Sequence, residues 1–215
     1  MRKLLFAAGL CVTLAGCGGT KHAASIPTTT DANGCVKVAY PATAARTVAS
    51  PTSKLSPTKH YDVTFTTSCG SFTIRLDPAQ SPHAAASFAS LVQHHFYDAT
   101  VVHRIWVDTL IQAGDPTGSG TGGPGYSTLD TPAKTARYTR GVVAMAKTAA
   151  DPQGTAGSQF FVVTAANAGF TPDYAIVGRV IDGMNVVDRI DKLGDANQSP
   201  SQTVEIVSAD LKVSG

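Results

Sequence analysis

Charge is scarce in this 215-residue chain. Asp, Glu, Lys and Arg make up only 15% of it, and 17 basic against 15 acidic side chains leave a formal +2. No run of lysines or arginines occurs, so the electrostatic footprint of a nucleic-acid-binding protein is missing and no nucleic-acid partner is expected. Binding to a membrane by charge alone is equally unsupported. Metal-ligand spacing is lacking too: His94 and His95 are adjacent, which on a helix points the two imidazoles apart. The glycine run Gly118–Gly123, "GSGTGG", matches the dinucleotide pattern by letter, but "PGY" follows where a helix should open. No phosphate-binding lysine follows the glycines, and no nucleophile elbow marks any of the serines. No cofactor and no metal are therefore expected. What remains, 43% hydrophobic residues, suffices for one ordinary domain and excludes a disordered chain.

The N-terminus sets the expected compartment. "MRK" is a short basic start, and "LLFAAGLCVTLAG" is an apolar stretch too short to span a bilayer comfortably. It ends in "LAGC", which resembles the bacterial lipobox. That resemblance implies a signal peptide over residues 1–16 and lipid attachment at Cys17. The alternative is an ordinary secreted protein with a chance cysteine near its cleavage site. Two or more acyl chains give stable anchoring, so the expected location is the cell membrane, lipid-anchored on the extracytoplasmic face. Cys11 leaves with the signal, so Cys35 and Cys69 remain, either bonded to one another or as two free thiols.

Residues 17–59 are dominated by Ser, Thr, Ala and Pro and read as a flexible tether, with "CVKVAYP" able to dock as a short strand if Cys35 is pinned. The folded domain is expected over 60–215. "YDVTFTTSCGSFTIRL" alternates as a hairpin around Cys69-Gly70. Ser81 and Pro82 open a helix whose apolar face carries Ala85, Phe88, Ala89 and Val92. "VVHRIWVDTLIQAGD" reads as two strands, and Asp115 to about Arg140 as a long loop. "GVVAMA", "SQFFVVT" and "YAIVGRV" read as buried strands. "GMNVVDRIDKLG" is a second helix with Gly194 at its end, and "TVEIVSADLKV" is a last strand. About eight strands with two helices predict a mainly β fold, a closed or nearly closed antiparallel barrel with helix-covered ends.

Two side chains in these strands are out of place for a core. Alternation puts Val102, Arg104 and Trp106 on one face, while Leu110 and Gln112 share a face of the next strand. If both faces overlook a groove, Arg104 and Gln112 form a polar pair in apolar surroundings, as in a small-ligand or peptide site. The competing reading is an arginine snorkelling from a strand edge and an exposed glutamine. His103 reads as a hydrogen-bonded core or supporting histidine rather than a base.

"VHRI", "LIQAGDPTGSGTGGPGY", "VVAMAK", "GSQFFVVT" and "YAIVGRVIDGMNVVDRI", in this order and spacing, resemble the cyclophilin-type peptidyl-prolyl isomerases over about Tyr61 to Val213. The resemblance implies an eight-stranded antiparallel barrel capped by two helices and rotation about Xaa-Pro bonds. Position by position it implies a catalytic role for Arg104 and a groove role for Gln112. It places Ala146 beside the backbone that holds the peptide, and Gln159 and Phe161 at the polar edge and proline pocket. Four departures stand out. Val102 replaces a phenylalanine, Thr109-Leu110 replaces "FM", Ala113-Gly114 replaces "GG", and "FTPDY" puts Phe170 and Tyr174 where Leu and His would sit. Thr109 thus predicts a missing aromatic wall, with Leu110, Phe161 and Phe170 left to hold the proline ring. The implied partners are proline-containing exported polypeptides met by a monomer. The alternative is a cyclophilin-shaped binding module or chaperone with little turnover.

Overall fold

The computed structural model describes residues 30–215; the expected signal peptide and Cys17 lie outside the described residues. The first hairpin forms as its alternation predicts. β1 (His60–Thr67) turns Tyr61, Val63 and Phe65 inward, and β2 (Gly70–Leu76) turns Phe72, Ile74 and Leu76 inward. Phe65 pairs directly with Phe72, their rings stacked 5.4 Å apart. The elements that follow are α1 (Pro82–Gln93), β3 (Thr100–Val101), β4 (Arg104–Trp106), β5 (Leu110–Ala113) and β6 (Thr128–Leu129). After them come β7 (Val142–Met145), β8 (Thr155–Ala156), β9 (Phe160–Val163), β10 (Ile176–Asp182), α2 (Met184–Asp191) and β11 (Glu205–Ser214).

Nine strands pair antiparallel in the order β3-β11-β1-β2-β10-β7-β9-β5-β4 and curl around a core centred on Phe65, Phe72, Phe88, Tyr97 and Phe160. The expected barrel is therefore present but not closed by hydrogen bonds. The two end strands, β3 and β4, are consecutive in the chain, and only Val102 and His103 separate them. A strand cannot fold back on its own continuation across so short an extended link, so the chain rather than a ladder completes the curl. Val102 N donates to Val204 O (3.0 Å), and His103 N donates to Gln112 O (3.1 Å). This break also corrects the expected alternation: Val102 packs into the core with Ile105, while Arg104 and Trp106 remain on the open face. The long loop after Asp115 is interrupted by β6, which pairs with β8.

α1 packs against β1, β10 and β11, and α2 against β2, β4 and β5. Ser81 occupies the N-cap of α1 as expected, but its hydroxyl makes no capping bond. The cap comes from Asp130, whose Oδ2 accepts from His83 N (2.9 Å) and Ala84 N (2.6 Å). This carboxylate meets the positive end of the helix dipole and ties the loop after β6 to α1. Gly194 lies beyond α2 and is required for another reason than a C-cap: a Cβ there would come within 3.0 Å of Ile105 O.

Residues 30–59 carry little regular structure, yet they are fastened to the domain. Cys35 and Cys69 form a disulfide, both buried, and close a loop worth roughly 3–4 kcal/mol in the chain-entropy picture. "CVKVAYP" does not become a strand; a single bridge joins Thr30 to Val36, and Val36 N donates to Ser68 O (2.7 Å). Arg46 Nη1 donates to Phe96 O (2.6 Å) and Asp98 O (2.7 Å), and Val48 and Leu55 pack on the core. The tether read over 17–59 is thus, from residue 30 onward, an arm laid along the domain. A cap supplied across 46 residues predicts that Asp130→Ala lowers the unfolding free energy by about 1–2 kcal/mol in urea titrations. Ser81→Ala should cost less.

Candidate functional site

The β4–β5 hairpin builds the site. Antiparallel register sets Arg104 opposite Gln112 and Trp106 opposite Leu110, and the next strand sets Phe161 opposite Gln112. These side chains therefore emerge on the same outward face. They line a groove of about 450 Å³ together with His103, Ala146, Phe170, Tyr174 and the turn Asn197–Ser199. Of the residues singled out in the sequence, Arg104, Gln112, Leu110, Ala146, Phe161, Phe170, Tyr174 and His103 come together here. Gln159 lines an adjoining cavity and reaches the groove through Gln112. Thr109 is the exception. It sits at the end of the β4–β5 turn, outside the groove lining, where its backbone carbonyl accepts from Thr164 N (2.9 Å).

The polar side is one hydrogen-bonded chain. Arg104 Nε donates to Gln198 Oε1 (2.7 Å) and Nη1 to Gln112 Oε1 (3.1 Å). Gln112 Nε2 donates to Gln159 Oε1 (3.0 Å), and Gln159 Nε2 donates to Gly120 O and Gly122 O (3.0 Å each). The glycine-rich loop is held in turn by buried Asp115, which accepts from Thr117 N (2.7 Å), Gly120 N (2.6 Å) and Gly122 N (3.0 Å). Burial alone would raise the Asp115 carboxyl, but these donors outweigh it and hold its pKa below the usual carboxylate range. Each carboxamide is oriented by its neighbours, so the guanidinium is fixed on two of its nitrogens and keeps further N–H groups available to a ligand.

The apolar side is aromatic. Phe161 meets Tyr174 edge-on at 5.2 Å and Phe170 at 6.0 Å, and Trp106 lies 6.3 Å from Phe170. Trp106 also lines the groove, two residues along the strand from Arg104, whose guanidinium carbon lies 5.8 Å from the indole centroid. Beneath the groove is a second hydrophobic cluster, Leu110, Tyr138, Val142, Ala144, Phe161, Val163 and Ile176, separate from the barrel core.

Several supporting residues escaped the sequence reading. Tyr138 is fully buried; its hydroxyl donates to Tyr174 O (2.8 Å) and accepts from Tyr174 N (2.8 Å) and Asp173 N (3.2 Å), pinning that wall. Lys147 reaches Asp173 at 2.7 Å with only 4% of its side chain exposed, and its ammonium sits 5.7 Å over the Tyr174 ring. Gln198 comes from a turn 94 residues beyond Arg104. Neither ring nitrogen of His103 finds a hydrogen-bond partner of good geometry among the described residues, and both are buried. Burial lowers its pKa against the opposing charge of Asp115, favouring a neutral ring under the groove floor.

A family model described as cyclophilin type peptidyl-prolyl cis-trans isomerase/CLD matches residues 62–211. The chain belongs to this family. Among curated relatives, peptidyl-prolyl cis-trans isomerase-like 1 of Neurospora crassa is 39% identical over 153 residues, covering 69% of this chain and 92% of that protein. Its Emericella nidulans counterpart is 35% identical over 159 residues, 72% of this chain and 96% of that protein. A solved cyclophilin type isomerase of Cryptosporidium parvum superposes with a TM-score of 0.66 at 28% identity, covering 71% of this chain and 98% of that one. The same protein has been solved in the presence of the dipeptide Ala-Pro, with a TM-score of 0.65. These relatives are eukaryotic and match the cyclophilin domain, so they do not bear on the lipoprotein leader expected at residues 1–17. The barrel, the two helices and the isomerase assignment hold.

Proposed function

We propose that this isomerase acts on Xaa-Pro bonds of exported polypeptides, with Arg104 as the group that favours the twisted amide. The observation that carries this reading is the fixed guanidinium standing beside aromatic side chains on one groove.

Rotation about an Xaa-Pro bond has a barrier near ~20 kcal/mol, because the nitrogen lone pair is delocalised into the carbonyl. No nucleophile and no proton transfer are needed, only preferential stabilisation of the twisted state. There the prolyl nitrogen regains its lone pair, and an N–H of Arg104 donates a hydrogen bond that the planar ground state cannot accept. Arginine suits the task because it stays charged and its fork is rigid. Leu110, Phe161, Phe170 and Trp106 hold the proline ring, while Gln112 and the Ala146 backbone steady the carbonyl side as the other end turns. Each ~1.4 kcal/mol of preference is worth tenfold in rate, so a few such contacts in a partly dry groove suffice.

Export is supported by the bonded pair Cys35–Cys69, since disulfides persist in oxidising compartments. "LAGC" supports a lipid anchor at Cys17 that keeps the domain at the extracytoplasmic membrane face.

Arg104→Ala on the full chain should lower kcat/KM for a proline tetrapeptide by about a hundredfold, with the circular dichroism spectrum unchanged. Equal turnover in the variant would remove Arg104 from the mechanism. Trp106, the chain's single tryptophan, should shift its fluorescence to the blue as a proline peptide fills the groove, and Trp106→Ala should raise KM roughly two- to tenfold. Indifference of both signals would place the ring elsewhere. Cys17→Ser should abolish incorporation of a labelled fatty acid into the protein. Labelling of the variant equal to that of the natural chain would rule out a lipid anchor at this cysteine.

A further inference from the structure

We propose that Gln198 is a positioning residue for catalysis, which aims the Arg104 guanidinium by accepting the Arg104 Nε hydrogen bond; this rests on the reading of Arg104 given above. Four observations converge on it. The bond is 2.7 Å long, at the close end for a charged donor, and Arg104 Nε makes no other hydrogen bond among the described residues. Gln198 has a φ of +62°, a left-handed conformation that a glutamine rarely adopts and that persists only when its surroundings enforce it.

The surroundings do enforce it. Asp195 Oδ1 accepts from Asn197 N and Ser199 N at 2.8 Å each, and Gln198 N donates to Asp195 O at 3.0 Å. A bridge between Gly194 and Pro200 closes the turn. Gln198 O then accepts from Ile105 N at 2.9 Å, which docks the turn onto the open edge of β4. One residue thus holds both the backbone beside Arg104 and the guanidinium itself. With Nε taken by Gln198 and one Nη1 proton taken by Gln112, rotation about the last bonds of the arginine is blocked. The uncommitted N–H groups then have one direction left, into the groove.

A hydrogen bond realised through the arginine only when the amide twists belongs to the transition state, so its loss falls on kcat and not on KM. Gln198→Ala on the full chain should lower kcat about tenfold with KM within about twofold. Gln198→Gly should show the same loss of kcat while being no less stable than the alanine variant, because glycine adopts positive φ without strain. Gln198→Glu, which keeps an acceptor oxygen at that reach, should recover most of the loss. In ¹⁵N–¹H spectra the Arg104 Nε–H should exchange slowly with water in the natural chain and in the glutamate variant, and quickly in the alanine and glycine variants. Unchanged kcat in the alanine and glycine variants, or an equal loss in the glutamate variant, overturns the proposal. Turnover insensitive to Arg104→Ala would instead refute the role of Arg104 itself, and that result is read in a different variant.

Discussion

A guanidinium on a flexible side chain points only where its hydrogen bonds hold it, so the partners that take some of its N–H groups decide where the remaining ones are aimed. That constraint at Arg104 organises the rest of the site. Gln198 takes Nε and Gln112 takes Nη1; Gln112 is then committed to Gln159, and Gln159 to the carbonyls of Gly120 and Gly122. The glycine-rich loop can offer those carbonyls only because Asp115 gathers its amides from the other side. Orientation is therefore passed along a chain with a carboxylate at one end and a strained turn at the other. On the mechanism proposed for Arg104, a donor oriented in advance in this way is where electrostatic catalysis gains most.

The sheet explains why these residues can meet at all. Register alone sets Arg104, Gln112 and Phe161 side by side on three adjacent strands, β4, β5 and β9. β4 is an end strand, and an end strand leaves one edge of backbone groups unpaired. The turn carrying Gln198 covers that edge through Ile105 N, so the same contact that protects the sheet from unwanted pairing also delivers a side chain to the groove. Had the ladder closed between β3 and β4, that edge would have been occupied and Gln198 would have had no place to dock.

What the sequence made legible followed from local periodicity and from motif spacing. Arg104, Trp106, Leu110 and Gln112 share their faces as alternation requires, and the two helices and most strands lie where their patterns put them. Long-range choices were not legible. Ser81 has the right type and place for a cap, yet Asp130 makes the bonds, because a folded chain can bring a charged acceptor from far away. Thr109 looked like a gap in the pocket when counted by position. The indole proposed for that role comes from the paired strand, and only the pairing of Trp106 with Leu110 brings it to the groove. Gln198 carried no signal, since nothing in a turn of Asp, Ala, Asn, Gln and Ser announces a partner on β4.

Composition misled most for residues 30–59. A stretch of Ser, Thr, Ala and Pro lacks the apolar surface to fold alone, and it does not fold alone; it borrows a finished surface. A few anchors suffice, namely the Cys35–Cys69 bond, the Arg46 contacts on the carbonyls after α1, and Val48 and Leu55 on the core. Between them the arm runs along the outside of the glycine-rich loop. The Tyr40 hydroxyl lies over Gly118 so closely that a Cβ there would collide with it, Thr47 packs on Gly125, and Val48 N donates to Pro124 O (3.2 Å). The inner side of that loop carries Ser119 and Gly120, which line the groove. A segment that reads as a spacer ahead of the domain is thus, over its second half, part of the support behind one wall of the groove.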